Sequence, residues 1–395
     1  MKKFLALLMV VVMLFALCVA CSSGGSSTPA PASSPAASGG SSSGGSSSGG
    51  SSAPAAPAGG DKASDEYGEY TPLSDSVKAI TIVYADENQE GSAPADGILF
   101  FKKVLEERSG GKIVIEPHFN LTLGTSNGDI YQSVCAGDID MSTGTPGAAV
   151  HGSTTAIMDV PAVFADEDLL WKCLQEGEFH DAFCDYTYSE GATSLYFGLK
   201  GYRVMTSNKE IRTLDDLKGL DMRLPSNPTW IAVWGSLGVN PTSIPMNEVY
   251  LSLQQGVCQA EENSYEQIAN NNLLEVQKYC IVTNHVHDAF GLYINNDFYA
   301  DMDPEVRTLF DETIPVVAKW WDENCRAYNE ANRQRCEEQA AKFGSTFIEP
   351  DASFMEGMVN ATADIVHDAR AYSPTADNLC TLALRMMGQD ENLGK

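Results

Sequence analysis

Two arginines twenty positions apart, Arg203 and Arg223, and an asparagine further along, Asn263, are the side chains in this sequence best suited to hold an anion. A carboxylate that leaves water must exchange its hydration for strong, oriented donors. A guanidinium offers paired N–H groups, stays charged at any relevant pH and is weakly hydrated. An amide beside it can bond the same carboxylate or a neighbouring hydroxyl. From residue types alone a second reading stays open. In a chain with 53 Asp and Glu against 25 Lys and Arg, a lone arginine is as readily half of a structural ion pair.

Other candidates are weaker. Segment 86–90, which contains Glu87, follows a short β-branched strand, and segment 142–145, which ends in Thr145, follows another. Both loops can line a cleft or simply turn in solvent. Trp230 opens a helix soon after Arg223 and can stack on a ligand or pack in a core. His285 and His287 stand two apart, on one face of a strand, but no third ligand accompanies them, so no metal is expected. Trp320 and Trp321 read as packing residues. The chain carries no His-Glu-x-x-His, no phosphate loop and no metal-spaced cysteine set. Glu261 and Glu262 are adjacent and should diverge, while Glu261 and Asn263 share a face. No catalytic residue and no cofactor is therefore expected, and a tethered extracellular hydrolase remains only a distant alternative.

The elements that must position these residues alternate. Strands are expected at 79–84, 112–119 and from 139, and helices at 95–108 and 127–136, the latter two closed by Gly110-Gly111 and Gly137. A second unit begins near Arg203, with a short helix at 214–217, a strand at 221–224 and helices at 227–237 and 247–255. This rhythm predicts an α/β fold with parallel sheets, in which ligands sit beyond the strand C-termini. Arg223 lies at such a strand end. Residues 304–343 read as one long helix of about 60 Å, with Pro315 as a kink, that braces both units.

The chain begins with Lys2-Lys3, an uncharged apolar run over 4–20, and then Cys21. That is a secretory signal. Leu17 to Cys21 is similar to a bacterial lipobox, which implies cleavage before Cys21 and a diacylglycerol on its sulfur. Residues 22–60 are almost entirely Ser, Gly, Ala and Pro, a flexible tether with a mean span of about 35 Å. Beyond residue 60, 23 Lys and Arg face 53 Asp and Glu, a net −30. Such a surface excludes nucleic acid as a partner, because neutralising phosphates takes clustered cations. The other eight cysteines form no dense framework, and most are expected as buried thiols. Cys325 and Cys336 lie about 16 Å apart along one helix, too far to bond.

Three stretches decide the reading: Gly201-Tyr202-Arg203 running to Thr206-Ser207-Asn208; Lys218-Gly219-Leu220-Asp221-Met222-Arg223-Leu224-Pro225; and Glu248 to Val257 followed by Glu262-Asn263-Ser264. With Ala136-Gly137-Asp138-Ile139-Asp140-Met141 upstream, they closely resemble the solute-binding proteins of TRAP transporters, the DctP family. The resemblance implies a periplasmic-binding-protein-like α/β fold of two domains with a ligand cleft between them. It implies an extracytoplasmic, monomeric receptor that captures an organic acid and delivers it to a permease of one small and one large membrane subunit. By motif, Arg223 takes the place of the family's ligand-clamping arginine, Arg203 of an assisting arginine and Asn263 of a ligand-binding asparagine. The last phrase departs from the family, since Gln259-Ala260-Glu261-Glu262-Asn263-Ser264 lacks the usual Gly and Pro. Glu87, Thr145 and Trp230 are secondary site candidates. The expected layout is a signal peptide over 1–21, a tether over 22–76 and domain I over 77–203. Domain II spans 204–293, a return to domain I with the long helix 294–372, and a tail 373–395. An importer of the ABC type or a sensor-linked binding protein is the alternative.

Overall fold

The computed structural model describes residues 62–395, apart from positions 162 and 165. The expected signal peptide, Cys21 and the tether to residue 61 lie outside the described residues. The strands are β1 (Ala63–Asp65), β2 (Gly68–Tyr70), β3 (Ile80–Ala85), β4 (Ile113–His118), β5 (Met141–Gly144), β6 (Ala192–Ser207), β7 (Asp221–Leu224), β8 (Asn240–Ser243), β9 (Ala260–Ser264), β10 (Tyr279–Ile281), β11 (His287–Asn295) and β12 (Thr346–Ile348). The main helices are α1 (Ala93–Ser109), α2 (Asn127–Ala136), α3 (Ala148–His151), α4 (Glu167–Gln175), α5 (Glu178–Glu190), α6 (Pro228–Ser236), α7 (Met246–Gln254), α8 (Tyr265–Asn270), α9 (Asn296–Ala300), α10 (Pro304–Phe343), α11 (Ala352–Tyr372) and α12 (Pro374–Met386).

The sheet runs β4-β3-β5-β11-β6-β9-β7-β8. At one end β3 pairs parallel with β4 and β5; at the other β7 pairs parallel with β8 and β9. Two antiparallel crossing strands join these triplets. β11 pairs with β5 and with the first part of β6, and the last part of β6 pairs with β9 and β10. The expected α/β units are present, but β6 is one sixteen-residue strand that passes straight through Arg203 from one half to the other. Gly201 sits at the passage with φ +93, and a Cβ there would meet the Asn329 side chain at 2.2 Å.

Helix ends follow local chemistry. Ser92 caps α1 and Ser126 caps α2, each accepting a backbone N–H, and Gly110 and Gly137 close them in the left-handed conformation. The helix α10 is a single element with Pro315 inside it and without a break. Its first half buries Phe310 and Trp321 against α1, where Trp321 Nε1 donates to Ala93 O at 2.9 Å. Its second half lies on α8, with Cys336 Sγ on Tyr265 O and Gln339 Nε2 on Ala269 O. One helix thus spans both triplets.

Two expectations at the ends change. The tether does not extend to 76: β1 and β2 form a hairpin, Thr71 bonds Glu312, Ser74 bonds Glu305, and Val77 is buried. The expected tail from 373 contains α12, whose Leu379, Cys380, Ala383 and Leu384 are buried in the main core. All eight described cysteines are free thiols. Among the described residues no helix is long and apolar enough to cross a membrane.

Candidate functional site

The parallel strands of both triplets release their chains toward a common cavity. Glu87 and Asn88 follow β3, Thr145 follows β5, Pro225 follows β7 and Met246 follows β8, and all of them line it. The crossing strands supply the floor: Lys200 and Arg203 from β6, Asp288 and Phe290 from β11. The space is about 760 Å³, counting its open mouth. A second lobe continues past Arg223 and Glu87 toward Leu121, Ser126 and Ser243.

All six expected site residues converge here: Arg223, Arg203, Asn263, Glu87, Thr145 and Trp230 line the cavity. The two arginines are bound very differently. Arg203 is bonded through all three of its nitrogens. Its Nε and Nη2 reach the Glu262 carboxylate at 2.7 and 3.0 Å, Nη2 also reaches Asn263 Oδ1 at 3.2 Å, and Nη1 lies 3.4 Å from Asp288. Its guanidinium stacks 4.4 Å over Trp230. Arg223 is 3 % exposed, and its Nε donates to Ile244 O at 2.8 Å. Its two terminal nitrogens have no hydrogen-bond partner among the described residues. Burial lowers the Arg223 pKa, while Glu261 and Glu262 hold it up.

Around the arginines the carboxylates separate by environment. Burial would raise the Glu262 pKa, but Arg203 and a bond from His285 bring it down to about 2. Glu261 accepts from Thr206 and Asn263, and burial lifts its pKa to about 6 against the pull of Arg223. Asn263 therefore spends its amide on Glu261 and Arg203 and does share a face with Glu261. Asp159, raised to about 7 by burial, accepts from Ala148 N and from Asn227, the cap of α6, and so links the β5 side to the helix that carries Trp230. His285 and His287 do not converge: the first pairs with Glu262 and the second with Glu167.

Lys200 and Asp288 were not foreseen. In the β6–β11 register Gly201 opposes Asp288 and Leu199 opposes Ala289, so Lys200 is the extra residue of a β-bulge. A bulge redirects a side chain, and here Lys200 Nζ lines the cavity 3.4 Å from Asp288. Burial would lower the Lys200 pKa, but Asp288, Glu266 and Glu87 raise it. Gly198 and Gly201 on either side were the available signal, since glycines inside a strand mark bulges. Asn127 and Gln267, on helix first turns, left no such mark.

The family described as DctP, bacterial extracellular solute-binding protein, family 7, matches residues 84–370 of the chain. The chain belongs to this family of TRAP-transporter solute-binding proteins. A DctP-family chain of Rhodobacter capsulatus, the C4-dicarboxylate-binding periplasmic protein, is 26 % identical over 242 residues, covering 60 % of this chain and 72 % of its own. An uncharacterized protein of Haemophilus influenzae is 29 % identical over 295 residues, 73 % and 87 % of the two chains. The solved TRAP periplasmic solute-binding protein of Bradyrhizobium sp. BTAi1, in complex with galacturonate, superposes with a TM-score of 0.67 at 25 % identity, covering 78 % of this chain and all of that one. DctP-family proteins are extracytoplasmic binding proteins rather than enzymes, and their two-domain fold is the one described above.

Proposed function

We propose that this protein captures an organic acid in the cavity, with the carboxylate seated on Arg223, and passes it unchanged to an ion-gradient-driven permease of one small and one large membrane subunit. The observation that carries the reading is the buried Arg223 guanidinium with two unpartnered N–H bearing nitrogens turned to an open cavity. A buried cation with spare donors is costly unless a guest completes it. Arg203 supports the seat from behind by holding Asn263 and Trp230 in place, and the secondary candidates Glu87 and Thr145 form the facing wall. Relatives that bind a C4-dicarboxylate and galacturonate support the acid class. The cavity draws on both ends of the sheet, which suits closure of domain I, 77–203 with the return segment, over domain II, 204–293. Cys21 as a lipid anchor and a monomeric state complete the proposal.

The test is a thermal-shift screen of the purified protein against organic acids, followed by titration calorimetry. Saturation at a hundred times Kd should stabilise by about 2.7 kcal/mol. Arg223→Ala should remain folded and lose far more than tenfold in affinity. Arg223→Lys should also be impaired, because an ammonium cannot reproduce the planar fork. Proton spectra of the ligand after long incubation should be unchanged. Near-native affinity in Arg223→Ala, or a product in solution, would overturn the reading.

A further inference from the structure

We propose that Glu87, seated on Asn127 and facing Lys200, is the specificity pole of the cleft, and that the guest is a polyhydroxylated monocarboxylic acid rather than a dicarboxylic acid or an amino acid. This rests on the reading that a carboxylate occupies Arg223.

Glu87 and Arg223 come from opposite triplets and line both lobes of the cavity, yet no ion pair joins them. A guest seated on Arg223 therefore presents its other end to Glu87. One Glu87 oxygen, Oε1, accepts from Asn127 Nδ2 at 2.5 Å, and the other has no hydrogen-bond partner among the described residues. Asn127 is buried, and its Oδ1 is likewise unpartnered. Lys200 Nζ lines the same cavity, and its one salt-bridge partner among the described residues is Asp288, at 3.4 Å. This pole thus offers acceptors and charged donors together.

Three chemistries can be compared against it. A second carboxylate only accepts, and it would lie against Glu87 with Asp288 close by. An ammonium only donates: it would satisfy Glu87 but lie beside Lys200. A hydroxyl does both: its O–H donates to the free Glu87 oxygen while its lone pair takes a Lys200 N–H. Neither charge in the pole then faces a like charge. Phe290 and Trp230, which also line the cavity, supply apolar surface for the C–H face of a hydroxylated chain or ring.

The experiment is calorimetry of the full chain against three panels: aldonates and uronates, C4-dicarboxylates such as succinate, and amino acids such as glutamate. At least one hydroxylated monocarboxylate should bind roughly a hundredfold tighter than any member of the other panels. Glu87→Gln should weaken that acid by about tenfold or more, the weight of a hydrogen bond to a charged group. It should also narrow the preference over succinate by at least that factor, because succinate is at the same time relieved of a repelling charge. A purely structural role would lower all acids alike. If Glu87→Gln does not fold, Glu87→Asp keeps the charge but withdraws it, and should weaken the hydroxylated acid without improving succinate. A dicarboxylate or amino acid that binds tightest, or an unchanged preference in the Glu87 variants, overturns this inference and leaves acid binding standing. Failure of every acid to bind overturns both.

Discussion

Arg203 and Arg223 show how one residue type divides into two roles by what surrounds it. Arg203 is a bonded cation that organises the floor, and its partner Glu262 is wholly buried. Removing one member of such a pair leaves the other uncompensated, at a cost of about 3–5 kcal/mol, so Glu262→Gln should melt well below the parent. The pH dependence has a definite sign. Glu262 has a folded pKa of about 2 against an ordinary 4.5. A depressed carboxylate contributes stability that is present above its unfolded pKa and lost as pH falls toward the folded one. The gap in Tm between parent and Glu262→Gln should stay level from pH 8 to 5 and close on acidification below 4.5. A gap that widens there would contradict the pairing. The motif phrases pointed to both arginines but could not say which was spoken for. That depends on the β6–β9 ladder, which sets Arg203 opposite Ser264 and so brings Glu262, two residues before it and 59 positions from Arg203 in sequence, diagonally onto the guanidinium.

At the level of elements, the long helix α10 decides how the two triplets are held. Its seat on α1 is narrow: a Cβ built on Gly97 would meet Trp321 Nε1 at 1.9 Å. Alanine normally stabilises a helix interior by roughly 0.5–1 kcal/mol over glycine. Here Gly97→Ala should instead destabilise by about 1–3 kcal/mol, because it forces the indole off Ala93. Thermal melts followed by tryptophan fluorescence would check this, and an unchanged or raised Tm would count against the tight fit. Helices with clear caps were legible in sequence almost to the residue, as at Asn127–Ala136 and Pro304–Phe343. The crossing strand β6 was not, since its glycines and its bulge break the alternation on which strand reading depends. The helix α12 had a usable signal in Ser373-Pro374, an N-cap followed by proline in the first turn, which a tail reading passed over. The hairpin β1–β2 is held by partners on α10 and α1, far away in sequence, and nothing local announces it.

For the whole molecule the decisive quantity is charge. The chain beyond residue 60 carries −30, yet three of its cations, Lys200, Arg203 and Arg223, line one cavity, with Arg203 and Arg223 buried. Even there they are matched by Glu87, Asp288, Glu261 and Glu262, so no large positive field extends from the cleft. An acid approaching from solution first meets a repulsive surface and gains from Arg223 only inside the cavity. The global term acts over a Debye length, about 30 Å at 0.01 M salt and 8 Å at 0.15 M. Raising ionic strength should therefore speed association, opposite to the behaviour of electrostatically steered pairs. Dissociation should change little, because it breaks contacts that salt does not reach. Stopped-flow traces with a saturable acid ligand at 10 and 150 mM salt separate the two rates. A kon that falls with salt would mean that the cleft projects a positive potential past the acidic shell and that the carboxylates around Arg223 do not balance its charge.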